Sequence, residues 1–456
     1  MPLGPDDKGM EHIGSIIARA AEGKDRRNQT PAVSAALSDG ALLELLHDPV
    51  AERTHFCLSR GGTWERVEEF VRPDGRRLVP YSPRNNLLAH GVVLFPSVPE
   101  EYGSERDLVA AIEAHIHRYV DLSPRFERIA AYYVLLTWLY DAFEELPYLR
   151  VRGDPGSGKT RFLLAVGSLC YKPIFASGAS TVSPLFRILD VMRGTLVIDE
   201  SDFRFSDERA EVVKVFNNGN VRGFPVLRTE TVPGSKEFDP RAYHVFGPKI
   251  VATRGAFDDA ALESRFLTEE MGERPLRPDI PISLPAAHGE EALRLRNKLL
   301  LFRLRNLRKP REMASTVDRS LEPRLNQILA PLLAIAEDEE TRRDLRDLAR
   351  SAQEDLVADR GLGLEAALLG VLRELWSTGG RAPAVKDVAV RFAERCGVEF
   401  PHVTAKRAGW LIRKKLGIPT ERTNGVYRLA EGSRSRFEDL CRHYGLDEEV
   451  PHDVPG

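Results

Sequence analysis

Residues 153–160 read GDPGSGKT. The five residues before them, YLRVR (148–152), predict a strand, and 159–169, KTRFLLAVGSL, predict a helix. A glycine-rich turn between a strand and a helix aims a row of backbone N–H groups, and the positive end of the helix, at one point. That arrangement suits a phosphate chain. The stretch fits G-x-x-x-x-G-K-[ST] at Gly153, Gly158, Lys159 and Thr160, with Asp154, Pro155, Gly156 and Ser157 completing the loop. Lys159 is expected to bring a point charge to the β- and γ-phosphates of ATP, and Thr160 a hydroxyl to Mg²⁺.

About forty residues on, GTLVIDES (194–201) is an apolar strand ending in two acids. Asp199 is expected to hold Mg²⁺, directly or through water, and Glu200 to polarise the attacking water. A third apolar strand, in GPKIVATRG (247–255), ends in Thr253, a polar residue expected at the γ-phosphate or the lytic water; a strand simply ending at the surface is the other possibility. ALESRF (261–266) then sets Arg265 between a short helix and a last strand. An arginine there can be supplied to the ATP of a neighbouring subunit, or can serve as a surface ion pair.

Composition limits the rest. The 456 residues suggest about three domains, and a hydrophobic share of 42% is enough for real cores. The net charge of −3 neither predicts nor excludes a nucleic-acid partner. Four scattered cysteines form no C-x-x-C pair, so neither a zinc site nor a disulfide framework is expected. The N-terminus lacks a secretory pattern, and the longest apolar run, 129–143, is too short to cross a bilayer. A cytoplasmic protein without membrane contact is expected.

Along the chain, 1–104 read as a region of unclear role that is partly β, with a helix over 31–47, strands at 55–59 and 64–70, and a turn at Pro73-Asp74-Gly75. Residues 105–147 read as a helical collar or linker, 148–285 as the nucleotide-binding core, 286–360 as a helical lid and 361–430 as a separate compact unit, followed by a tail. The αβ alternation of the core predicts a parallel sheet with flanking helices.

With these pieces in order, residues 148–271 resemble an AAA+ P-loop ATPase core, and most nearly those of superfamily 3 and minichromosome-maintenance-like replicative DNA helicases of viruses, plasmids and mobile elements. The resemblance implies an α/β core, a C-terminal winged helix and a homo-oligomeric, hexameric ring with single-stranded DNA in its channel. It also implies a hairpin before the third motif strand. Residues 225–231 and 241–246 are expected to pair as that hairpin, with Lys236 at its tip gripping a strand phosphate or merely solvated. Arg324, near the start of the helix predicted over 321–355, resembles the second sensor arginine of such ATPases.

Residues 364–430 carry twelve Lys/Arg against six Asp/Glu. Helices are expected at 364–376, 385–396 and 403–416, then two strands around Asn424-Gly425. Three helices and a wing make the winged-helix layout. Lys406, Arg407, Arg413, Lys414 and Lys415 surround an apolar stripe on the third helix and are candidates for DNA contact, with protein contact the rival use. Three functions stay open: a ring-forming helicase or translocase, an AAA+ initiator, loader or transcription regulator, and an ATPase of a defence or remodelling assembly.

Overall fold

The computed structural model describes residues 29–177, 180–199, 206–231, 238–257, 259–272, 276–309, 317–361, 363–379, 381–397, 400, 403–423 and 425–446. The chain divides into two compact units between Asp347 and Leu348.

The first unit begins with strands. β1 (Gln29–Ala32), β2 (Ser34–Ala36), β3 (Leu42–Asp48), β4 (Arg53–Arg60), β5 (Thr63–Val67), β6 (Phe70–Val71) and β7 (Arg77–Pro80) build two small sheets, β2-β3-β4-β5 and β1-β7-β6. The helix expected over 31–47 is therefore replaced by strands. Gly40, at φ +91°, closes a tight turn in which its N–H donates to Leu37 O (3.1 Å). The run from Leu42 to Leu46 is buried throughout, and an apolar stretch that short carries no period by which to tell strand from helix. The turn at Pro73-Asp74-Gly75 is present, with Gly75 N–H donating to Arg72 O (2.9 Å).

α1 (Asn86–Ala89) leads to α2 (Glu105–Tyr119), started by a capping box between Ser104 and Asp107, and to α3 (Pro124–Leu139), capped by Ser123 with proline in its first turn. α3 lies within the core of the first unit. Twelve of its sixteen residues are buried, the pattern of a helix inside a core. Tyr133 Oη donates to Lys249 O (2.8 Å), and Trp138 Nε1 to Leu169 O (2.9 Å).

Next come β8 (Tyr148–Gly153), α4 (Lys159–Gly167), β9 (Ile174–Ser177), α5 (Val182–Met192), β10 (Leu196–Asp199), α6 (Ser206–Gly219), the hairpin β11 (Val226–Thr231) and β12 (Phe238–Tyr243), β13 (Lys249–Thr253), α7 (Ala260–Glu263) and β14 (Phe266–Met271). β14-β8-β13-β10-β9 form one sheet in which every pair is parallel. All five carboxyl ends therefore lie along one edge, where ligands bind in sheets of this kind. β13 lies between β8 and β10. The N-terminal sheets share a hydrophobic core with this one, through Leu43, Phe56, Ile174 and Leu196 among others.

α8 (Ala287–Asn306) and α9 (Pro323–Ile335) follow, then α10 (Glu339–Gly361). The single helix expected over 321–355 is split at residues 336–338, because Asp338 turns the chain and caps the next helix, accepting from Thr341 N (2.7 Å).

The second unit holds α11 (Leu364–Gly379), α12 (Val385–Cys396), α13 (Ala405–Trp410) with one π-turn continuing it (Leu411–Lys415), the hairpin β15 (Thr420–Thr423) and β16 (Val426–Leu429), and α14 (Arg434–His443). An isolated bridge joins Ala384 to Arg428. The boundary expected at 430 moves outward: Phe437, Leu440 and Cys441 of α14 are buried in the same core, with the Phe437 ring 4.9 Å from that of Trp376.

Candidate nucleotide site

Strand β8 delivers the 153–160 loop to the sheet edge. A Cβ at Gly153 would lie 2.3 Å from Met271 O, so only glycine allows β14 to pass this close. Gly158 starts α4 at φ +95°, a conformation that strains any residue with a Cβ. Lys159 is buried and curls over the loop, donating to Gly153 O and Asp154 O (both 2.7 Å). Burial lowers its pKa; Asp199 pulls it up again, and Arg254 pushes it further down. Thr160 Oγ1 donates to Asp199 Oδ2 at 2.9 Å, so the loop hydroxyl and the carboxylate at the end of β10 meet.

Thr253 comes to the same edge by register. Asp199 pairs with Ala252, and Thr253 pairs with Arg152. Thr253 therefore stands one residue beyond the pairing that links β10 to β13, on the strand that lies between those carrying Asp199 and the loop. It is 3% exposed, and its Oγ1 has no hydrogen-bond partner among the described residues. Ser157 Oγ is in the same condition. Buried hydroxyls are ordinarily bonded, and an unmet one costs roughly 1–3 kcal/mol. Two of them at one edge fit a polar ligand that supplies the missing acceptors. A hard divalent ion fits the Thr160–Asp199 oxygen pair.

A cavity of about 820 Å³ opens over the loop, large enough for a nucleotide. Beyond the loop, its walls include Tyr119, Asp121, Arg161, Arg254, Leu276 and Ile280. The far wall is pinned on both sides. Arg161, on α4, donates to Pro281 O and Ile282 O, and Asp121 accepts from Arg277 N (3.1 Å). These wall residues were not legible as site residues in the sequence. Arg254 alone carried a signal, since it directly follows Thr253.

Lys159, Thr160, Asp199 and Thr253 lie at the sheet edge beside the loop but do not line this cavity, and Arg265 and Arg324 lie elsewhere. Arg265 is buried in its own chain, where Nη1 donates to Asn217 Oδ1 and to Ala261 O (2.9 Å). Arg324 donates to Ala261 O (2.8 Å) and Ser264 Oγ (3.4 Å), beside Arg265 rather than beside the phosphate loop. The sequence offered no means of placing α9 against α7. Glu200 and Lys236 lie outside the described residues. The hairpin exists but pairs Val226–Thr231 with Phe238–Tyr243, three residues earlier on its return strand than expected.

The arginine-rich 294–311 segment is mainly structural where it is buried. Arg296 donates to Ser168 O (2.8 Å), and Arg303 to Trp138 O (2.6 Å) and Asp141 (2.7 Å). In the second unit, Lys406, Arg407, Arg413, Lys414 and Lys415 are all exposed, while Ala408, Leu411 and Ile412 are buried. No described helix is long and apolar enough to cross a membrane.

A parallel α/β sheet with a glycine-rich strand-to-helix loop at its carboxyl edge defines the class of the core. No protein family matches the chain, and no curated protein does. Among solved structures, it is similar to the apo A form of the NrS-1 C-terminal region, at 13% identity and a TM-score of 0.35, over 85% of this chain and 96% of that one. It is also similar to a Thermotoga maritima RuvB mutant (13%, TM-score 0.23, 72% and 97%) and to the inhibitor-bound JCV helicase (16%, 0.23, 61% and 66%). At such scores the folds do not superpose as wholes.

Proposed function

We propose that the chain is an AAA+ ATPase that couples ATP hydrolysis to movement along DNA, as a ring of identical subunits in the replication of a virus, plasmid or mobile element. The observation that carries the ATPase reading is the convergence of Lys159, the Thr160–Asp199 pair and the unmet Thr253 hydroxyl at one sheet edge. Lys159 and Arg254 bring positive charge to the phosphates. Thr160 and Asp199 would hold Mg²⁺, which when bound would supply positive charge against the phosphates. Thr253 donates toward the γ-phosphate or the lytic water, and Glu200 takes the water's proton. Arg161 keeps the 276–282 wall against the base end of the cavity.

The winged-helix description of the second unit belongs to the same reading, supported by three helices, a hairpin and a basic exposed face. That face also favours one alternative, an initiator or loader acting on duplex DNA. ATP turnover with and without single-stranded DNA decides. Turnover that is stimulated by single strands and abolished by Lys159→Ala supports the motor. Turnover indifferent to DNA removes it.

A further inference from the structure

We propose that the second unit carries a stacking platform for unpaired nucleic-acid bases, made by Trp410 and Tyr427; this rests on the DNA-acting reading above. The first observation is on α13 and its π-turn. Lys406, Arg407, Trp410, Arg413 and Lys414 follow one another at helical spacing and are all exposed, whereas Ala408, Leu411 and Ile412 face the core. Trp410 is 49% exposed in the middle of four cations. The core does not need it there, and a large aromatic left in water is informative in a way that an exposed lysine is not.

The second observation is the register of the hairpin. Arg422 stands opposite Tyr427, and Thr420 opposite Leu429, so these four share one face; Glu421 and Arg428 stand opposite each other on the other face. Leu429 is buried, which turns the first face toward the helix. There Arg413 Nη1 donates to Thr420 Oγ1 (3.3 Å). Its guanidinium carbon lies 5.9 Å from the Tyr427 ring centre, and that of Arg422 lies 5.8 Å from it. Both are loose contacts, and Tyr427 remains 51% exposed. The hairpin's one described carboxylate, Glu421, points away from this face.

Cations interleaved with half-open aromatic rings fit a polyanion whose bases are exposed. A duplex would use the cations and leave the rings idle. An unpaired strand uses both, because every base has a π-face that can stack on a ring. A protein partner would have to match the cations with a row of carboxylates and has no particular use for planar rings.

The test uses the full-length chain without nucleotide, with labelled oligothymidine and a blunt duplex of the same length, followed by anisotropy over a salt series. Tyr427→Ala and Trp410→Ala should each weaken single-strand binding roughly tenfold and duplex binding less than about twofold. Tyr427→Phe should bind as the parent does. Lys414→Ala should weaken both ligands and lower the salt slope by about one. Equal losses on both ligands, or alanine variants that bind single strands normally, overturn the platform. So does a parent chain that binds neither ligand, which would point to a protein partner. ATP turnover, measured separately on the same protein preparations with ATP added, separates these outcomes from failure of the ATPase assignment, since neither aromatic belongs to the nucleotide site.

Discussion

Thr253 separates a structural role from a functional one by a single atom. Its Oγ1 is buried without a partner among the described residues, so removing it should cost the fold little and relieve an unmet donor. Thr253→Val should keep or raise the melting temperature, by up to about 1 kcal/mol of stability, while kcat for ATP falls about a hundredfold and ATP affinity changes only a few-fold. Normal turnover in that variant would leave the hydroxyl without a role. Arg265 points the other way. It bridges Asn217 and Ala261 inside its own chain, so Arg265→Ala should lower stability by about 1–3 kcal/mol, and mixing it with Lys159→Ala subunits should rescue no activity. Arg324 beside it is likewise held within its own chain, donating to the same Ala261 carbonyl.

At the scale of elements, β13 is held at both ends. Thr253 ends it at the nucleotide edge. Lys249 begins it, fully buried, with Nζ donating to Gly219 O (3.3 Å), Val245 O (3.1 Å) and Gly247 O (3.0 Å) and lying 4.7 Å from the Tyr148 ring centre. One ammonium thus ties the last turn of α6 and the exit of the hairpin to the strand that carries Thr253. A Cβ at Gly219 would meet Nζ at 2.2 Å and the backbone oxygen of Val245 at 2.7 Å, so only glycine leaves room for this arrangement. Burial brings the Lys249 pKa down from 10.5 to about 7. Below pH 7 the ammonium is protonated in both states and contributes no pH dependence. Between about 7 and 10.5 the unfolded chain holds the proton that the native one has released, so stability from this group rises with pH. The stability difference between the parent and Lys249→Met should climb over that window, by at most about 1.4 kcal/mol per pH unit. Parallel stability curves from pH 7 to 10 would contradict this.

Over the first unit as a whole, a buried ionic cluster joins parts distant in sequence. Glu44 on β3 accepts from Tyr171 Oη (2.8 Å) and Arg303 Nε (2.7 Å). Lys172 Nζ lies 3.6 Å from Glu44 and donates to Ser34 Oγ (2.6 Å), and Arg303 also grips Asp141. Two acids and two bases balance in charge, and each has a partner. Breaking one member leaves a buried charge uncompensated, which costs about 3–5 kcal/mol. Glu44→Gln should therefore shift the urea midpoint of the entire unit, not of its N-terminal strands alone. A separate early transition for those strands would show them to be an independent domain.

What the sequence determined by itself was local. The loop at 153–160, the acidic strand end, Thr253 and the alternation of strands and helices are readable because phosphate binding and parallel pairing demand particular residues at fixed short spacings. Three helices and a hairpin in 364–430 were legible for the same reason, from period and turn chemistry. Tertiary structure decided the rest. The order of the sheet places β13 between β8 and β10, and that alone puts Thr253 on the strand between those carrying Asp199 and the loop. The far wall of the cavity comes from residues well before and well after the loop, so no spacing announces it. Arg265 and Arg324 looked available in the sequence because a side chain's partners cannot be read from its own neighbourhood. Asn217, Ala261 and Ser264 reach them only after folding. The strands at 29–48 were misread because a short apolar run becomes a strand or a helix according to what packs against it, and the partner strand β4 and the core of the larger sheet supply that surface.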